Sequence, residues 1–129
     1  GAYAFSNRAL AEVLVAMLDR SALPDDAWLA DCDAMVERAR LRNARDPNLW
    51  DALGEADCQL VRLLARPPRG RALRGTAETI REAYLRALMR GASPRERTTV
   101  VEHLEFVVAM CDAAGKGLRE ALALIRAAL

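Results

Sequence analysis

The residues of this chain able to do chemistry are few, and their spacing argues mostly against catalysis. There is one histidine, His103, set in Glu102-His103-Leu104-Glu105. A metal site on a helix would need further ligands one turn away, but positions 99, 100, 106 and 107 supply Thr, Val, Phe and Val. His103 therefore reads as a partly buried helix histidine, and no metal or cofactor is expected. A Cys–His nucleophilic pair would need Cys32, Cys58 or Cys111 beside it. Cys111 lies two helical turns away, and the other two carry no supporting motif. With no Cys-x-x-Cys, the three cysteines read as small buried thiols in a reducing compartment.

Asp57 interrupts the apolar stretch from Leu53 to Leu64. The expectation is a place at the edge of the apolar face, paired with an arginine; the alternative is a polar pocket between helices. Glu55 and Glu82 read as solvated. No residue is assigned a catalytic role. Arg66, Arg69, Arg71 and Arg74 place four positive charges in nine residues with no acid among them. They are the candidate partner-binding residues, suited to an acidic peptide, a phosphate or another subunit.

These residues sit in a chain of 129, enough for one domain with a core. At 53% hydrophobic and 29% charged, the composition is globular. Leu, Ala and Arg dominate and aromatics are 5%, a bias toward helix. A net charge of +1 supplies no field for nucleic acid or anionic lipid, and neither is an expected partner. No apolar run approaches the roughly 20 residues of a membrane helix. The start at Gly1, without a signal-peptide pattern, reads as a cut or processed end of a longer, cytoplasmic protein.

Six helices are expected. The first runs Asn7 to Arg20 with Ser6 as cap, and Leu23-Pro24 ends it. The second runs Asp25 to Arg42, acidic at its start and basic at its end, as the helix dipole favours. Asp46-Pro47 opens the third, which extends to Ala65. A loop follows over Arg66–Gly75, with two prolines and two glycines. The fourth spans Thr76 to Gly91. Ser93-Pro94-Arg95-Glu96 is a capping box opening the fifth. Gly115 and Gly117 separate off a sixth bearing Leu118, Ala121, Leu122 and Ile125.

Trp50-x-x-Leu53-Gly54, answered by Ile80-x-x-x-Tyr84-x-x-Ala87-Leu88, resembles the opening and closing signatures of a tetratricopeptide helix pair over residues 47–91. Asp57 and Ile80 stand where that family prefers Tyr and Ala. The span is about 14 residues longer than the 34-residue repeat, an excess the 66–75 loop would absorb. Asp46–Met110 is also similar to helical regions of bacterial tetratricopeptide proteins described as TRAFs-binding. The resemblance implies three antiparallel helix pairs stacked as a solenoid, with Trp50 and Leu53 in the core and Gly54 admitting a neighbouring helix. The periodicity alone also fits a closed six-helix bundle. The function implied is a protein-interaction or scaffolding module whose partner is another protein, with homo-oligomerisation open. The other readings are a small helical enzyme or ligand-binding bundle with a pocket near Asp57 or His103, and a dimerising structural domain.

Overall fold

The computed structural model describes residues 1–127 and 129. It is all-α, with six helices and no strand among the described residues: α1 (Ala2–Leu18), α2 (Asp26–Arg45), α3 (Leu49–Ala65), α4 (Arg71–Met89), α5 (Pro94–Ala113) and α6 (Arg119–Arg126). None of these helices is long and apolar enough to cross a membrane.

The helix ends show which local signals prevailed. Asp25 caps α2 by accepting from the Trp28 amide, and Ser93 and Glu96 form the full capping box of α5 with Pro94 in its first turn. Gly91, at φ +101°, follows the end of α4 in the left-handed region that suits glycine. Three expected boundaries are corrected. Ser6 is not a cap: α1 begins at Ala2, and Ser6 is buried within it, donating to the Tyr3 carbonyl. The cap of α3 is Asn48 rather than Asp46, because its side chain both accepts from the Asp51 amide and donates to the Asp51 carboxylate at 2.7 Å. The 66–75 segment is not all loop, since α4 already begins at Arg71 and carries Gly75 in its second turn.

α3 is the central helix. Seven consecutive residues, Ala52 to Cys58, are buried, because α1, α2 and α4 all pack on it. Contacts continue from α4 to α6, from α6 to α5, and from α5 back to α1. This packing of helix pairs accommodates a bundle or a short stack. Leu53, Tyr84 and Ala87 lie in the core as expected. Gly54 meets a close neighbour, namely the first turn of α1: a Cβ at position 54 would stand 2.7 Å from the Ala2 Cβ and 2.9 Å from the Tyr3 amide nitrogen. Trp50 is corrected. It is 50% exposed, set in the first turn of α3 with its ring edge-on to Tyr3, centroids 5.1 Å apart at 64°.

Candidate ligand-binding pocket

The site begins with a conflict inside α3. Its buried residues are apolar except Glu55, which meets Arg40, and Asp57, whose side chain is only 8% exposed. A carboxyl removed from water must find partners or remain costly. The expected arginine is absent. Tyr84, wholly buried on α4, donates its hydroxyl to Asp57 Oδ1, and His103 on α5 places Nε2 3.7 Å from the same oxygen. That distance is beyond a hydrogen bond but within strong Coulomb reach. Burial pushes the Asp57 pKa above its ordinary value, against the opposing pull of His103 and the Tyr84 bond. Burial and the neighbouring Asp57 also push the Tyr84 phenol well above its own.

Above this floor opens a cavity of about 300 Å³ between α1, α3 and α5. Leu53 and Val100 supply apolar wall, and Tyr3 and Trp50 supply aromatic wall. The first turns of α5 contribute Arg95, Glu96 and Thr99 to the rim. Glu96 is held by the capping box, accepting from the Ser93 amide at 2.9 Å. Thr99 donates to the Arg95 carbonyl at 3.0 Å. Tyr3 reaches the site only because Gly54 lets α1 lie so close to α3. His103 is partly exposed, as expected, at 26% of its side chain.

The four arginines lie elsewhere and do not converge with Asp57 and His103. Arg66 ends α3 and pairs with Asp26 of α2, while Arg74 pairs with Glu78 one turn along α4 at 3.2 Å. The run is thus acid-free only in sequence, which corrects the reading of four unopposed charges. Arg69 and Arg71 are exposed and have no carboxylate within 4.0 Å among the described residues. Glu55 is corrected as well: it is buried and accepts from Arg40 Nε and Nη2 at 3.3 Å.

All three cysteines are free and buried. Burial is the main cause that raises their thiols, Cys32 to about 11, Cys58 to about 12 and Cys111 to about 11, and none lines the pocket. No group of three or more metal-ligating side chains converges among the described residues. Tyr3, Arg95, Glu96 and Thr99 were not anticipated in a site. Tyr84 was anticipated only as core, although a tyrosine and an aspartate both on buried helix faces are natural partners, each polar tip needing the other.

Comparison of the chain with protein-family models, with curated proteins and with solved structures finds no match.

Proposed function

We propose that the chain binds a small organic molecule in the pocket between α1, α3 and α5. One observation carries this reading: a buried carboxyl with two polar neighbours sits at the floor of an apolar, aromatic-walled cavity of about 300 Å³. A few convergent polar groups inside an otherwise apolar concavity are the usual composition of a ligand site. The role assigned is binding rather than turnover. The three thiols are buried and none lines the pocket, so no cysteine nucleophile accompanies the Asp57–His103 pair. A fragment screen by amide-resolved NMR tests this. Binding fragments should shift Trp50, Leu53, Asp57, Thr99 and His103 together, and a library that shifts none of them refutes the pocket.

A second reading, a protein-interaction module of stacked helix pairs in a bacterial-type cytoplasm, is favoured by Arg69 and Arg71, exposed at the start of α4. An acidic partner docking there would bind more weakly as salt rises. Changing Arg69 and Arg71 to Gln should weaken that binding and leave the melting temperature unchanged; equal affinity before and after would remove the arginines from the interface.

A further inference from the structure

We propose that the molecule taken by the pocket is a small organic cation, an ammonium carried on an apolar or aromatic body. This deepens the pocket reading and rests on it. Asp57 lacks a permanently charged counterpart: among the described residues, its polar neighbours are the neutral Tyr84 hydroxyl and the His103 imidazole at 3.7 Å. Only Oδ1 is engaged by these two groups, so acceptor capacity remains. A ligand N–H directed at the floor would supply the partner that the fold withholds. It would also turn a costly buried carboxyl into one half of a charge-assisted hydrogen bond.

The walls suit the same chemistry. Tyr3 and Trp50 meet edge to face at the mouth, so π surface remains beside the entry, and an ammonium is attracted to such faces. The charged and titratable groups around the cavity are Tyr3 from α1, Asp57 from α3, Tyr84 from α4, and Arg95, Glu96 and His103 from α5. The two carboxyls among them are fixed, Asp57 by burial and Glu96 by its bond to the Ser93 amide. Arg95 is the one guanidinium of the lining. It is exposed and has no carboxylate within 4.0 Å among the described residues, so it can turn to solvent, where its charge is screened.

Three probes that share one phenylethyl body decide the matter by calorimetric titration near neutral pH: 2-phenylethylamine, its isostere 2-phenylethanol, and the larger 3-phenylpropanoate. The amine should bind about tenfold or more tightly than the alcohol, the effect of one charge-assisted hydrogen bond, and the carboxylate should bind weakest. Asp57→Asn should remove the amine's advantage. If that variant fails to fold, the order of the three probes on the unaltered chain decides. An alcohol that matches the amine, a carboxylate that exceeds it, or an advantage that survives in a folded Asp57→Asn chain overturns the cation assignment and leaves the pocket standing. Failure of all three to bind at about 10 mM overturns the pocket together with its ligand.

Discussion

Two glycine-to-alanine substitutions, chemically identical, should change stability in opposite directions. In a helix interior the exchange gains about 1 kcal/mol of propensity, because alanine loses less backbone entropy on folding. Gly75, inside α4, has no atom within 4 Å of where a Cβ would lie, so Gly75→Ala should realise most of that gain. Gly54→Ala has the same gain and a larger opposing cost. Its methyl would sit 2.7 Å from the Ala2 Cβ, 2.9 Å from the Tyr3 nitrogen and 3.0 Å from the Ala2 carbonyl carbon. Two of those three atoms are backbone, so no rotamer change relieves the overlap, and the start of α1 must move as a unit. That movement loosens buried Ala2 and the 3.9 Å contact between Cys58 Sγ and the Ala2 carbonyl. Overpacking of this kind costs about 1–3 kcal/mol, and an overlap on backbone belongs toward the upper end. The net expectation is a loss of about 1–2 kcal/mol for Gly54→Ala, or a fall in Tm of roughly 3–8 °C for a domain of this size. Urea titrations of both variants beside the parent provide the measurement. If Gly54→Ala proves as stable as Gly75→Ala, helices α1 and α3 do not meet at Gly54, and the placement of Tyr3 at the pocket mouth falls with that contact.

Tyr84→Phe should cost about 1–3 kcal/mol, because it leaves the buried Asp57 carboxyl without its donor, and denaturant unfolding at neutral pH reads this directly. A neutral effect would mean that Asp57 reaches water in solution. Asp57→Asn should change how stability depends on pH. Because the folded-state pKa of Asp57 is raised above 3.8, its favourable contribution is complete below that value and is lost as pH climbs through the folded pKa. Between the two pKa values the parent should lose about 1.4 kcal/mol per pH unit relative to the variant, so the variant gains ground as pH rises. A stability difference that stays flat in unfolding curves from acid to neutral pH would contradict the burial of Asp57. Ser93→Ala removes half of the α5 capping box and should lower stability by about 1 kcal/mol; a loss smaller than a few tenths, measured calorimetrically, would show that the first turn of α5 is held by other means.

What could be read in advance was local. The α5 capping box and the glycine that ends α4 depend on neighbours a few residues away, and both appear where the chain alone places them. Asp46-Pro47 marks a cap for α3, but Asn48 takes that place through its reciprocal bonds with Asp51. The start of α1 was hidden for a different reason. Its first turn has no side-chain cap and is held by packing of Ala2 and Tyr3 on Gly54, a contact distant in sequence. The site divides in the same way. Asp57 stood out as a carboxyl in an apolar stretch, but its partners come from α4 and α5, and only tertiary packing brings them together. The resemblance that put Trp50 and Leu53 in the core held for Leu53 and failed for Trp50, which stands half exposed in the first turn of α3 beside Tyr3.

The floor and the rim of the pocket belong to helices under very different constraint. Around Asp57, seven consecutive residues of α3 are buried, so a change there is judged first by whether the chain still folds. Arg95 and Thr99 stand on an exposed face of α5, where substitutions are ordinarily close to neutral for stability. On the ligand-binding reading, substitutions at the rim would change what the cavity admits at little cost in stability, whereas changes around its base would be limited by folding.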